Sequence, residues 1–287
     1  MKRIVLLGGS GQIGTALQSA LAAHDVTAPP HAAFDVVTGD AAALLARHPC
    51  DVLINCTAFH NVDVCEREPA PAFATNAIAV DRLAAAAAAA GAAFMTFSTD
   101  YVFAGDRGRA YREDDVPNPR TAYGTSKLAG EILMRRHGPR HTIVRTSAVF
   151  GTVGTSNKGY TLIDKVLAQA ERGEPTRMVA DMTFSPSYAP HVAQTVRRLI
   201  DAEAFGTHHV TNAGACTWFE FVRTAFAKAG LADAPLEPIS YASFGNPTQR
   251  PMYSPLENTT FARLGIPALN AWDVALDEYL AARRTPA

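Results

Sequence analysis

A tyrosine and a lysine stand four residues apart in the segment "YGTSK", at Tyr123 and Lys127. In a helix this spacing places both side chains on one face. The pKa of a free tyrosine is about 10, and a neighbouring ammonium group lowers it by favouring the phenolate. The pair therefore predicts a phenol tuned for proton transfer, with a lysine that can also bind a cofactor ribose. The alternative interpretation is a helical pair without chemistry, because this spacing is common.

A hydroxyl group that orients a carbonyl would complete such a site. The segment "FSTDY" offers Ser98 and Thr99 at the end of an apolar run. Ligands of α/β proteins bind at the carboxyl edge of the sheet, so both hydroxyls are placed for this role if the run is a strand. The spacing alone leaves the choice between them open.

Three glycines, Gly8, Gly11 and Gly14, follow the first apolar run and lead into a helical pattern. Glycines let backbone N–H groups approach a pyrophosphate, and the helix N-terminus adds a partial positive charge. The same pattern also serves as a plain strand-to-helix turn. Its place in the first βα turn of an alternating chain favours a dinucleotide site.

The second apolar run should show which dinucleotide is bound, but it ends in "VTAPPHAAF". This segment contains neither an acid for a ribose 2′-hydroxyl nor an arginine for a 2′-phosphate. We therefore predict that both NADPH and NADH are accepted. Asp35 and Val36 could border the adenine, although an acidic loop residue is more commonly a turn former.

The first half of the chain alternates apolar runs with helical patterns. The runs "RIVLLGG", "DVLINCTA" and "AAFMTFS" are continuously hydrophobic, which indicates strands buried on both faces. This pattern is typical of a parallel sheet with helices on each side. We predict the α/β class, with a Rossmann-type doubly wound parallel sheet and a smaller C-terminal substrate-binding lobe.

The predicted domains are a dinucleotide-binding Rossmann domain over 1–150 and a substrate-binding lobe over 151–287. Elements near 185–212, including the strand-like "GTHHVTN", are expected to return to the first domain. The segment "CTWFEFVRTAFAKAG" begins with Thr217 and Glu220 at capping-box spacing, which predicts a helix. The alanine-rich tract "LAAAAAAAGAAF" is interpreted as a packed helix, because alanine is the best helix former.

Composition excludes several classes of function. Of the 287 residues 48% are apolar, and 26 Lys and Arg nearly balance 27 Asp and Glu. This predicts a globular protein without a global field for nucleic acid or an anionic membrane. The four cysteines lack the paired spacing of a metal site, so no metal is expected. No apolar run approaches the roughly 20 residues of a membrane span, and a cytoplasmic location is expected.

The order of the segments "GGSGQIG", "STDYVFAG", "YGTSK" and "RTSAVFG" resembles the extended short-chain dehydrogenase/reductase family, and more narrowly its dTDP-4-dehydrorhamnose reductase branch. The similarity spans nearly the whole chain, through segments such as "YREDDVPNPRTAYGTSKLAGE" and "QRPMYSPLEN". It implies that Thr99, Tyr123 and Lys127 are catalytic, and that Tyr101 lines the sugar pocket beside Thr99. The residues implied for cofactor binding are Gly8, Gly11, Gln12, Ile13, Gly14, Asp35, Val36, Cys56, Thr57, Ala58, Tyr123 and Lys127.

Two positions in the resembling segments concern the substrate. Arg250 is expected to hold the substrate diphosphate, since the guanidinium fork pairs two phosphate oxygens at once. The alternative is a surface ion pair with a carboxylate such as Glu257. Ala148 stands where the branch usually has a tryptophan, and this change opens space beside the hexose, so that a bulkier sugar becomes conceivable.

The activity implied by the resemblance is the NAD(P)H-dependent reduction of the 4-keto group of a nucleotide-linked 6-deoxyhexose, as in dTDP-L-rhamnose and polysaccharide biosynthesis. The alternatives are another nucleotide-sugar reductase or epimerase, and a non-catalytic NADP-binding regulatory subunit. The expected partner is the nucleotide sugar, and a homodimer is left open.

Overall fold

The computed structural model describes residues 1–153, 161–245 and 247–284. Its strands are, in chain order, β1 (Arg3–Leu7), β2 (Asp25–Thr27), β3 (Val52–Asn55), β4 (Ala93–Thr99), β5 (His141–Thr146), β6 (Val149–Phe150), β7 (Thr176–Val179), β8 (Thr183–Phe184), β9 (Ser187–Tyr188), β10 (Gly206–His209), β11 (Cys216–Thr217) and β12 (Leu236–Ile239).

The α-helices among these residues alternate with the strands of the first half, as the pattern predicts. They are α1 (Gln12–Ala20), α2 (Ala41–Arg47), α3 (Val62–Arg67), α4 (Pro69–Phe73), α5 (Ala79–Ala89), α6 (Ala122–Arg135), α7 (Leu162–Glu171), α8 (Ala189–Asp201), α9 (Trp218–Lys228), α10 (Phe261–Leu264) and α11 (Trp272–Arg284). A π-helical turn, Ala74–Ile78, joins α4 to α5, and the alanine-rich tract is helical as predicted.

Six strands form one parallel sheet in the order β10-β5-β4-β3-β1-β2. Successive residues of β1 point to opposite faces, as strand geometry requires: Ile4 and Leu6 join the apolar cluster that contains Leu17 of α1. Val5 and Leu7 join the cluster on the other side. Because both faces are covered by helices, the continuously apolar runs are explained and the predicted α/β class is confirmed.

The strand predicted from "GTHHVTN" is β10, which pairs with β5 at one edge of the sheet. It is preceded by α8, whose apolar residues pack into the same cluster as α1. A segment far along the chain thus completes the first sheet, as expected. The division of the chain into domains at residue 150 stays a prediction.

A third apolar cluster lies outside this sheet and includes residues of α7, α9 and α11. The predicted capping box at the start of α9 is present, with Thr217 and Glu220 each bonding the other's backbone N–H. The four cysteines are free, and Cys65 and Cys216 are buried. Among the described residues no helix combines the length and the apolar character that a membrane crossing needs.

The register of the sheet aligns the ends of the strands. Thr99 at the end of β4 lies beside Thr146 at the end of β5. The carboxyl ends of β1 and β3 lie at the same edge because the sheet is parallel. Side chains that follow these strands therefore meet in one place, where α/β proteins bind ligands.

Candidate active site

A cleft of about 670 Å³ opens at the carboxyl edge of the sheet. It contains most of the side chains that the sequence predicts for catalysis, cofactor and substrate. Those that line it are Gly8, Gly11, Gln12, Ile13, Gly14, Cys56, Thr57, Ala58, Thr99, Tyr101, Tyr123 and Lys127.

The helix α6 begins tightly against the turn after β4. The Thr121 hydroxyl caps it by accepting from the Gly124 N–H at 3.0 Å. A Cβ at Gly124 would lie 2.1 Å from the Tyr101 carbonyl oxygen, so only glycine permits this approach. The ring of Tyr123 consequently meets the ring of Tyr101 edge-on, with centroids 5.9 Å apart.

Burial raises the pKa of the Tyr123 phenol above its ordinary value, and a hydrogen bond with Thr99 opposes this effect. Burial also lowers the pKa of Lys127 to about 8, although the charge of Glu131 opposes that change. The net pKa shift of the phenol is therefore upward in this structure, whereas the sequence predicts a lowered value. The physical reason is desolvation, which disfavours the charged form of both groups. A phenol that stays protonated at neutral pH is nevertheless the form that a proton donor requires.

The structure decides between the two hydroxyls of "FSTDY". Ser98 donates to Glu131 Oε1 at 2.5 Å, away from the phenol. The same carboxylate accepts from Arg145 Nε at 2.9 Å and Nη2 at 2.7 Å. Glu131 follows Lys127 by four residues and lies on its face of α6. Ser98 thus anchors α6 to the sheet, whereas Thr99 interacts with Tyr123.

Asp100 is a buried carboxyl group at this site to which the sequence analysis gave no role. Its Oδ2 accepts from Ser254 Oγ at 2.6 Å, and its Oδ1 accepts from Thr99 Oγ1 at 3.1 Å. Burial raises the pKa of Asp100 to about 6. Asp100 fixes the Thr99 side chain from behind, but spacing could not indicate the contact of Asp100 with Ser254, because Ser254 lies far along the chain.

The glycine loop is packed more closely than a plain turn requires. A Cβ at Gly14 would lie 2.1 Å from the Gly8 carbonyl oxygen. At Gly11 the only atom within 4 Å of a Cβ would be the Gly8 oxygen at 3.5 Å, so this glycine is free on its cleft side. Gln12 Oε1 is buried without a hydrogen-bond partner in the described part of the chain. An open glycine and an unsatisfied amide oxygen at a helix N-terminus fit a dinucleotide.

Substitutions of Gly11 and Gly14 should have different effects. Gly11→Val should leave the unfolding midpoint nearly unchanged but raise the cofactor Kd about tenfold or more, since the added bulk meets only the ligand. Gly14→Ala should lower the free energy of unfolding by about 1–3 kcal/mol, because its Cβ overlaps backbone. Thermal melts and cofactor titration measure both. Unaltered cofactor affinity in Gly11→Val would mean that the loop is only a turn.

Asp35 and Val36 have other contacts. The Asp35 carboxylate accepts from the N–H groups of Val37 at 2.7 Å and Thr38 at 3.0 Å, which makes it the turn former of the alternative interpretation. Val36 packs in the apolar core under α2 and α5. Neither residue is among those that line the cleft. Their contact with a cofactor remains a prediction.

Arg250 lies beside the cleft, which its neighbour Pro251 lines. Its Nη2 donates to Asp63 Oδ1 at 2.8 Å. Glu257, the carboxylate considered as its alternative partner, instead binds Arg112 at 2.9 Å. An ion pair of Arg250 is therefore present, but with a different acid. Binding of a substrate diphosphate by this guanidinium stays a prediction.

Apart from Ala148, the residues of the far wall of the cleft were not assigned from the sequence. This wall is formed by Met182, Thr183 and Phe184 around β8, by Trp218 at the start of α9, and by Ser147 and Ala148 after β5. These segments are brought together only by tertiary packing, so spacing along the chain carried no signal. The capping box predicted the helix that begins at Trp218, but it did not place that residue at the cleft.

Comparison with known proteins agrees with this geometry. The family model described as "RmlD substrate binding domain" matches residues 1–285. The chain is 36% identical over 288 residues to a dTDP-4-dehydrorhamnose reductase of Mycobacterium tuberculosis, covering 98% of this chain and 93% of the relative. It is 34% identical over 286 residues to the spore coat polysaccharide biosynthesis protein SpsK of Bacillus subtilis, covering 99% and 98%.

Among solved structures, a dTDP-4-dehydrorhamnose reductase of Bacillus anthracis in complex with NADP superimposes with a TM-score of 0.93. It is 30% identical, and the match covers 98% of this chain and 99% of that one. A UDP-N-acetylglucosamine 4-epimerase of Methanobrevibacter ruminantium shares the fold, with a TM-score of 0.84 at 16% identity. The resemblance seen in the sequence is confirmed: this chain belongs to the family described as the RmlD substrate binding domain.

Proposed function

We propose that the chain reduces the 4-keto group of a dTDP-linked 6-deoxyhexose, as a dTDP-4-dehydrorhamnose reductase, with NADPH or NADH as the reductant. The observation that carries the proposal is the meeting of Thr99, Tyr123 and Lys127 in one cleft with the glycine loop. The names of relatives that match nearly the whole chain support the same activity.

The cofactor would be held by the glycine loop and by the opposite strand end. Gly8, Gly11 and Gly14 present backbone at the start of α1, and Cys56, Thr57 and Ala58 line the cleft after β3. Lys127 supplies an ammonium group for a ribose. A bound nicotinamide provides the hydride for the carbonyl carbon.

The protein's own part of the reaction is to hold the carbonyl and to donate a proton. Asp100 holds the Thr99 side chain beside the phenol, and the Thr99 hydroxyl orients the carbonyl oxygen by donating to it in place of Asp100. Tyr123 donates its proton to that oxygen, and its raised pKa keeps the proton in place until negative charge develops there. The charge of Lys127 then stabilises the phenolate that remains, at a site where burial strengthens charge interactions.

A turnover assay tests the proposal. The purified chain is mixed with dTDP-4-dehydrorhamnose, and the absorbance of NADPH is followed. Net oxidation of NADPH, with formation of dTDP-rhamnose, is the expected result. A protein that binds NADPH without turnover would be a regulatory subunit instead, and interconversion of sugars without net oxidation would indicate an epimerase.

We expect weak discrimination between NADPH and NADH. The segment after β2 presents His31, whose exposed ring lies 3.5 Å from Asp35, and neither an acid nor an arginine directly follows the strand. The kcat/KM values for the two cofactors should differ by less than about a hundredfold, which is about 2.7 kcal/mol. A larger preference would show that another residue reads the 2′-position.

The remaining expectations belong to the proposal as well. A cytoplasmic location, a homodimer and a substrate lobe over 151–287 are retained as predictions. The nucleotide-sugar partner is supported by the family to which the chain belongs.

A further inference from the structure

One end of the cleft has an aromatic wall. The ring of Trp218 lies on the ring of Phe184, with centroids 4.1 Å apart and planes tilted by 33°. Phe221 supports both from beneath, at centroid distances of 6.3 Å and 6.2 Å. Trp218 and Phe184 line the cleft, and Trp218 is only partly buried. An indole held rigid from behind and open in front is a preformed surface for an apolar face.

Ala148 contributes only a methyl group to this cleft. This residue lines the cleft and packs against the same apolar cluster as Trp218. Its φ is +41°, in the left-handed region that side chains other than glycine rarely adopt. The backbone therefore makes a sharp turn directly after β5, and a methyl group is all that projects from it.

Two buried hydroxyl groups line the same cleft. Thr146 Oγ1 and Ser147 Oγ make no hydrogen bond of normal geometry in the described part of the chain, although Ser147 lies close enough to the Asp100 carboxyl to lower the pKa of that group. Both residues line the cleft although only 7% and 3% of their surfaces are exposed. Thr146 is the register neighbour of Thr99. Buried hydroxyls are nearly always satisfied, so this adjacent pair indicates a ligand oxygen.

We propose that Trp218, backed by Phe184, is the surface on which the hexose ring of the substrate lies, and that the Thr146 and Ser147 hydroxyls bind a hydroxyl or substituent oxygen of that ring. This inference rests on the proposed function and adds the sugar subsite to it. The ligand class is a pyranose with one apolar face, such as a 6-deoxyhexose. The small Ala148 leaves room at this end for a ring substituent.

Trp218 can be tested with a matched control, because the chain has two tryptophans. Trp272 contacts the same Phe221, at 5.8 Å, but is not among the residues that line the cleft. Trp218→Ala should raise KM for the nucleotide sugar about tenfold or more, with kcat nearly unchanged, because ground-state and transition-state binding are lost equally. Trp272→Ala should leave KM unchanged. Equal KM values in the two variants would overturn the assignment of Trp218.

A binding measurement keeps the test independent of the stability of Trp218→Ala. In Trp272→Phe the emission reports on Trp218 alone. Addition of dTDP-rhamnose should change this emission, whereas dTDP, which lacks the sugar, should not. The same response to both ligands would place the nucleotide at Trp218 and contradict the proposal.

Removal of each hydroxyl distinguishes a role in ligand binding from a role in stability. Ser147→Ala and Thr146→Val each remove an unsatisfied buried hydroxyl, so the free energy of unfolding should be unchanged or higher. KM for the sugar nucleotide should nevertheless rise about fivefold or more, with cofactor affinity unchanged. Lower stability with unchanged KM would refute the proposal, and so would a loss confined to cofactor binding. Absence of any turnover in the parent chain would instead refute the proposed function.

Discussion

Replacement of Tyr123 by Phe is expected to slow reduction by about 10² to 10⁴, the usual contribution of a positioned general acid. The ring and its edge-on contact with Tyr101 are kept, so the variant loses little except the proton donor. Removal of a buried hydroxyl that Thr99 holds should cost about 0.5–1.5 kcal/mol of stability. Cofactor affinity should be nearly that of the parent.

Single-turnover kinetics with saturating cofactor measure this effect apart from binding. Tyr188→Phe is a suitable control. Tyr188 is a buried tyrosine of the third apolar cluster and is not among the residues that line the cleft. It should reduce the substrate at the parent rate. A Tyr123→Phe rate within a few-fold of the parent would remove Tyr123 from the proton-transfer step.

Replacement of Lys127 by Met should raise the cofactor Kd about 10- to 100-fold, since a hydrogen bond to a charged group contributes about 1.5–3 kcal/mol. Reduction should also slow, because the phenolate left by Tyr123 loses its cation. Stability should not fall, since methionine fills a similar volume and burying the ammonium group disfavours the folded state. A stable variant with parental cofactor affinity would contradict the ribose role.

The pH dependence of cofactor binding separates charge from packing at Lys127. The pKa of this lysine is lowered to about 8, so its ammonium group is lost as the pH rises through that value. Cofactor affinity of the parent should therefore decrease above about pH 8, whereas that of Lys127→Met should show no such decrease. The lysine of the unfolded chain keeps its proton up to a pH of about 10.4, whereas that of the folded chain loses it at about 8. The free energy of unfolding of the parent should therefore rise between these two pH values, and that of Lys127→Met should lack this rise.

The sequence predicted the parts of the site whose residues lie close together along the chain. The glycine loop occupies the turn between β1 and α1, the Tyr123 and Lys127 pair lies in the first turns of α6, and both line the cleft. Continuous apolar runs similarly indicated the sheet, since only buried strands tolerate them on both faces. The late strand β10 was also predicted, from the segment "GTHHVTN".

The sequence did not provide what depends on tertiary burial. The predicted sign of the Tyr123 pKa shift was wrong. A spacing of four residues indicates which side chains are neighbours, but it does not indicate how far burial removes them from water. The contact of Asp100 with Ser254 joins residues more than 150 positions apart. Trp218 and Phe184 likewise meet only because β11 pairs with β8, which lies about 30 residues earlier in the chain.

The most direct test of the account is the fate of the transferred hydride. The parent chain is incubated with dTDP-4-dehydrorhamnose and NADPH that carries deuterium at both positions of C4 of the nicotinamide, and the sugar product is examined by mass spectrometry and NMR. The account predicts one deuterium per product, at C4 of the hexose, with one NADPH consumed, and almost no labelled product from Tyr123→Phe in the same time. An unlabelled product, a label at another carbon, or sugar interconversion without net NADPH consumption would contradict it.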